Sequence, residues 1–182
     1  MKIDSKLYER LGSLFVYPGN GYGALVALAQ ERLHEVQPDV MLTLEPFARW
    51  VGTTRVEEIQ EHFTATFDMN PSACLEVGWH LFGESYARGD FLVSMRGLMR
   101  RLGVPESAEL PDHLSHVLQV LGRLPAQEAA PLAARVLRAI DKMIAGQPES
   151  SPTRALVAAV RDLVAAACPE GRTREKGGEL DA

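Results

Sequence analysis

One histidine pair, one histidine–glutamate pair, one cysteine and a few acids are the side chains of this sequence whose types and spacing could do chemistry. His113 and His116 stand three residues apart, and His80 and Glu84 four apart. Either spacing puts both members on one face of a helix, where they could share a divalent metal. Gly83 falls inside the second pair and is expected to break it. His113 follows Pro111 and Asp112 at an expected helix start, where an imidazole more often caps the helix or contacts a partner than ligates metal. Asp112 beside it could tune its proton and make it respond to pH. Asp68, Glu109 and Asp112 lie beside large apolar residues in the runs TFD and ELPDHL. A carboxylate there can simply cap a helix, worth up to about 1 kcal/mol, or it can do something more specific. Cys74 reads as a small residue buried in an apolar helix, with no basic neighbour to make it a nucleophile. The sequence has no Gly-rich phosphate loop, no H-E-x-x-H and no G-x-S-x-G.

The elements that must position these residues are helices. Leu7, Leu11, Leu14 and Phe15 recur at helical spacing until Tyr17-Pro18-Gly19 breaks the pattern. Leu25, Leu28 and Val36 give a second stripe; Val40, Leu44, Phe47 and Val51 give a third. Thr54 and Glu57 have capping-box spacing ahead of Val56, Ile59, Phe63 and Phe67, a series that stops near Asp68. Asn70-Pro71 predicts a short helix with Leu75, Trp79 and Phe82 on one side, ended by Gly83. A longer helix is expected from about Ser85 to Leu102, with Phe91, Met95, Leu98 and Leu102 in register. Leu114, Val117, Leu118 and Leu121 begin another. Pro125 and Gln147-Pro148 bracket one carrying Leu132, Val136 and Ile140, and Ser151-Pro152 opens a last one with Leu156, Val160 and Leu163. Sustained alternation of period two is absent. The expectation is an all-α, single-domain helical bundle of about eight helices over residues 1–168, with a polar, disordered tail over 169–182.

Composition bounds the partners. The 182 residues suffice for one hydrophobic core. With 19 Lys plus Arg against 24 Asp plus Glu, the net charge of -5 disfavours nucleic acid and suits a basic or apolar peptide. Two distant cysteines, Cys74 and Cys168, argue against a disulfide framework or zinc ribbon and fit a reducing compartment. Neither a signal-peptide core nor an apolar run of membrane-spanning length is present. A cytoplasmic protein without stable membrane insertion follows.

Four runs in order, LGSLFVYP, FTATFD ending at Asp68, LFGESYARG from Leu81 to Gly89, and ELPDHL ending at Leu114, resemble the redox-enzyme maturation chaperones of the TorD/DmsD/NarJ type. The nearest branch is the nitrate reductase delta-subunit, or molybdenum cofactor assembly chaperone, family. The resemblance covers Leu7 to about Val164. It implies a non-catalytic helical protein that holds the N-terminal leader or signal peptide of a DMSO-reductase-type catalytic subunit. That grip lasts until the molybdenum bis-guanine dinucleotide cofactor has been inserted, before export or membrane docking. The cofactor would belong to the client and no cofactor would be bound stably. Partners would be the molybdopterin oxidoreductase catalytic subunit and the cofactor-insertion machinery; monomer and dimer both fit. The residues carried over are Phe67, Asp68, Gly83, Glu84, Arg88, Gly89, Glu109, Pro111, Asp112, His113 and Leu114. Phe63, Glu84, His113 and Ser115 depart from the usual Tyr, Asp, Tyr and Pro; His113 resembles the form in chaperones of exported enzymes.

The residue chemistry fits that role. A leader offering basic residues and then an apolar stretch needs an apolar groove rimmed by acids. Trp79, Phe82 and Phe91 could wall it, and Glu84, Glu109 and Asp112 could charge it, although core packing would equally explain the aromatics. Two other classes stay open at this level. One is a permanent small subunit of an oxidoreductase; the other is a helical metal-dependent enzyme built on His113, His116 and nearby acids.

Overall fold

The computed structural model describes residues 4–167. Nine α-helices and one π-helical turn make up the order among the described residues: α1 (Ser5–Ser13), α2 (Tyr22–Val36), α3 (Pro38–Thr53), α4 (Val56–Phe63), the π turn (Thr64–Asp68), α5 (Val77–Phe82), α6 (Tyr86–Leu102), α7 (Leu114–Arg123), α8 (Ala126–Ala145) and α9 (Thr153–Ala167). The fold is all-α, as the periodicity predicts, and the expected tail over 169–182 lies outside the described residues.

The bundle is arranged around α7, which is buried from Leu114 to Leu118 and again from Val120 to Gly122. A helix hydrophobic on most of its circumference must be covered on several sides. α1 lies along it at close range. A Cβ on Gly122 would stand 2.7 Å from Tyr8 Cβ, so glycine is what lets the two backbones approach. Elsewhere α3 packs on α2 and α9, and α8 on α5 and α9.

Most predicted stripes are the buried ones: Leu7, Leu11, Leu14 and Phe15; Val40, Leu44, Phe47 and Val51; Leu132, Val136 and Ile140; Leu156, Val160 and Leu163. Three local expectations fail. In α2 the buried face is Tyr22, Val26, Ala29 and Leu33, while Leu25 and Leu28 are exposed; the segment GALVALA is apolar all round, so its periodicity does not select a face. Arg55, not Thr54, caps α4, without a side-chain bond, so no capping box forms. Asn70-Pro71 opens a turn and not the helix. Asn70 accepts from Ser72 N–H at 3.1 Å and donates to Gly146 O at 3.0 Å, which ties the turn to the end of α8. The chain then stays non-helical until α5 begins at Val77.

Candidate functional site

Three pieces of irregular backbone converge beside the C-terminal end of α1. The first is the π turn continuing α4, closed by Met69 N–H to Thr64 O at 2.9 Å. A widened turn of this kind shifts the residues after it relative to a regular helix. Phe67 goes into the core, edge-on to Phe63 at 5.0 Å and to Phe15 at 6.4 Å, while Asp68 stays exposed. The second piece is a short antiparallel bridge pairing Glu76 with His113. Val77 N–H donates to Asp112 O at 2.9 Å and Leu114 N–H to Leu75 O at 2.8 Å.

The third piece is the loop before α7, pinned by His116. A carbonyl only accepts, so the 3.0 Å contact with Leu110 O places the His116 proton on Nδ1. Nε2 then accepts from Ser107 Oγ at 3.0 Å, and Ser107 Oγ accepts from Glu109 N–H at 3.1 Å. His113 takes the opposite tautomer. Its Nδ1 caps α7 by accepting from Ser115 N–H at 3.3 Å, which leaves the ring proton on Nε2. The two rings serve the loop and the cap, and among the described residues no three His, Cys, Asp or Glu side chains gather as a metal site.

Between these pieces opens a cavity of about 410 Å³. Phe15, Phe63, Phe67 and Leu75 give it an apolar lining; Asp68, Glu76 and Glu109 bring carboxylates, and Tyr17, Cys74 and His113 complete it. None of the three acids forms an ion pair among the described residues, whereas Asp4, Glu45, Glu106, Glu128 and Asp141 all do. Burial holds the His113 pKa down to about 4, with neighbouring His116 pushing the same way and Glu76 opposing. Asp112, the acid expected to tune it, is not among these influences: its side chain is turned to the other side of the bridge. Burial, assisted by Glu76, pushes the Cys74 thiol up to about 12. Cys74 is half-buried in the segment before α5, not in a helix, and its carbonyl accepts from His80 Nε2 at 2.8 Å.

The expected contact set therefore divides. Phe67, Asp68, Glu109 and His113 meet in the cavity. Glu84, Arg88 and Gly89 line a different hollow of about 600 Å³, together with Gly83 and Leu110. Consecutive residues Glu109 and Leu110 thus face separate depressions. Asp112 is no rim acid, being fully buried. One carboxylate oxygen accepts from Gly78 N–H at 3.1 Å and lies 3.7 Å from Arg88 Nε. A Cβ at Gly78 would come within 2.6 Å of that oxygen, so the approach requires glycine. Arg88 also sits over the Trp79 ring at 5.7 Å, and the indole N–H donates to Pro71 O at 3.0 Å. Pro111 and Leu114 are buried, and Phe82 packs on Phe91 at 5.6 Å. Glu84 remains exposed, and the helix break at Gly83, with φ +58°, separates it from His80. Phe15, Tyr17, Phe63, Cys74, Leu75 and Glu76 join the cavity without having been singled out as contacts; the runs LGSLFVYP and FTATFD carried a signal for Phe15, Tyr17 and Phe63.

The model of the nitrate reductase delta subunit family matches residues 33–150, well over half of the chain. The chain belongs to that family. The delta-subunit match takes in the π turn, the bridge and the loop before α7, but not Phe15 or Tyr17. Two curated relatives are the nitrate reductase molybdenum cofactor assembly chaperones NarJ of Escherichia coli (strain K12) and of Escherichia coli O157:H7. Each is 33% identical over 84 residues, covering 46% of this chain and 36% of the relative. The match thus spans little more than a third of their length. No helix among the described residues is long and apolar enough to cross a membrane.

Proposed function

We propose that this protein is a cytoplasmic maturation chaperone that receives the basic and apolar N-terminal leader of a molybdoenzyme catalytic subunit in the cavity beside the π turn. It releases that client once the molybdenum cofactor is in place. The observation carrying the reading is the set of three carboxylates, none in an ion pair among the described residues, around an aromatic floor. A cationic side chain entering the cavity meets these carboxylates while its apolar neighbours cover the rings. Membership of the delta-subunit family, and relatives named as molybdenum cofactor assembly chaperones, point to the same class of client. In this reading the cofactor is cargo of the client, and the chain's own residues bind and position peptide without catalysing a reaction.

Isothermal titration with the N-terminal peptide of a molybdoenzyme catalytic subunit from the same genome tests this. Binding at micromolar or tighter dissociation constants is expected, weakening as salt is raised. It should be largely lost in the triple variant Asp68→Asn, Glu76→Gln, Glu109→Gln. Undiminished affinity in that variant would remove the cavity from the account.

A further inference from the structure

Resting on that reading, we infer that the peptide groove continues from the cavity across the Tyr17 ring onto a second, acid-bearing shelf at Glu61, so that the bound segment is read at two points. Tyr17 borders both depressions: the cavity, and a hollow of about 370 Å³ formed with Gln60, Glu61, Thr64 and Met69. Tyr17 is 54% exposed and its ring stands edge-on to Phe63 at 5.9 Å, an apolar saddle between the two. The saddle is held in place, because Gln60 Nε2 donates to Pro18 O at 2.7 Å and fastens the turn after Tyr17 to α4. On the shelf Met69 is 77% exposed. Glu57 is engaged by Arg55 at 3.4 Å, whereas Glu61 forms no ion pair among the described residues.

The acids alone would suit any cation. His113 narrows the choice. It is 5% exposed and lines the cavity, and its Nδ1 is committed to the α7 cap. Its protonated Nε2 has no partner among the described residues, and it is not one of the sealed unsatisfied atoms, which are Arg88 Nε and Asp112 Oδ1. An occupant of this cavity must therefore present a hydrogen-bond acceptor as well as positive charge, which a metal ion or a polyamine does not and a polypeptide carbonyl does. A chain entering there with a basic residue, crossing Tyr17 with apolar side chains and reaching Glu61 with a second basic residue meets every one of these groups.

Fluorescence anisotropy with two labelled synthetic peptides tests the inference. Both share one apolar centre; the first carries arginines at both ends, the second arginines at one end and glutamines at the other. The two-ended peptide should bind the wild-type chain about tenfold more tightly. Glu61→Gln should reduce it to the level of the one-ended peptide, whose own affinity stays unchanged, while Tyr17→Ser should weaken both. Equal affinities for the wild-type chain, or a two-ended affinity untouched by Glu61→Gln, would overturn the shelf and leave the cavity reading standing. If neither peptide binds the wild-type chain, the cavity reading falls and the shelf with it.

Discussion

Glu109 and Asp112 stand three residues apart in one loop and have opposite fates. Glu109 is exposed on the cavity, its backbone fixed by Ser107 and His116 and its carboxylate free of ion pairs among the described residues. Asp112 is fully buried on the far side of the bridge, shared between Gly78 N–H and the Arg88 guanidinium. The difference separates two kinds of work. On the Arg88 side, charge is spent within the chain to lock α5, α6 and the loop before α7 together. On the cavity side, charge is held in position by backbone and neutral side chains and left available. An acid that is positioned but unpaired is the one to suspect of serving a partner; an acid buried against a counter-charge of its own chain serves the fold, even with one of its oxygens left unbonded.

The sharpest way to break this comparison is to remove Asp112. In Asp112→Ala the Gly78 N–H loses its acceptor and Arg88, whose Nε is sealed from solvent, loses its counter-charge. A loss of about 2–3 kcal/mol in a denaturant titration is expected. Peptide affinity should change little once only folded protein is counted. Asp112→Asn keeps an acceptor for Gly78 and should cost less. Burial already raises the Asp112 carboxyl above its ordinary range, although Arg88 opposes this.

Neutralising the cavity acids should do the reverse. Asp68→Asn with Glu109→Gln is expected to weaken leader binding about ten- to a hundredfold, or roughly 1.4–2.7 kcal/mol. Thermal stability should stay within about 0.5 kcal/mol of wild type, since neither side chain supports the fold.

Acid sensitivity should follow the buried histidines. Burial depresses the His113 pKa from 6.5 to about 4 and also lowers those of His62 and His80. Between those limits the unfolded chain binds more protons than the folded one. The His113 contribution is therefore complete above pH 6.5 and lost progressively toward pH 4, on the order of 3 kcal/mol, and His62 and His80 act in the same direction. The raised Asp112 carboxyl acts in the opposite sense at the acid end. Stability measured from pH 7 to 4 should fall, and His113→Gln should flatten the slope. The smallest effect belongs to Cys74, whose thiol is pushed up to about 12. Cys74→Ala should shift stability by less than about 1 kcal/mol, leave binding within twofold, and show the wild-type thiol slow to alkylate at neutral pH.

Much of this architecture is legible in the sequence because helical stripes are local. Val40, Leu44, Phe47 and Val51 announce a buried face without reference to the rest of the chain. The candidate site is legible only in part. Asp68, Glu109 and His113 stand in conspicuous runs, but Glu76 is an unremarkable acid until the bridge pairs it with His113, and such a two-residue pairing leaves no period to read. The π turn is equally silent, since a widened turn differs from a helix in hydrogen bonding and not in composition. Asp112 misleads for a related reason. Its neighbours in sequence suggest a rim, and only the glycine at position 78 and the arginine at position 88, far away in the chain, take it inside.

The most direct test of the central claim is to map the bound leader on the chain. Amide chemical shifts of isotope-labelled protein, followed while the leader peptide is added, should move most at Phe67, Asp68, Glu76, Glu109 and His113, with only minor changes from Gly83 to Gly89. Shifts concentrated on the Arg88 side, with the cavity residues silent, would contradict the division of labour between the two acids and the function built on it.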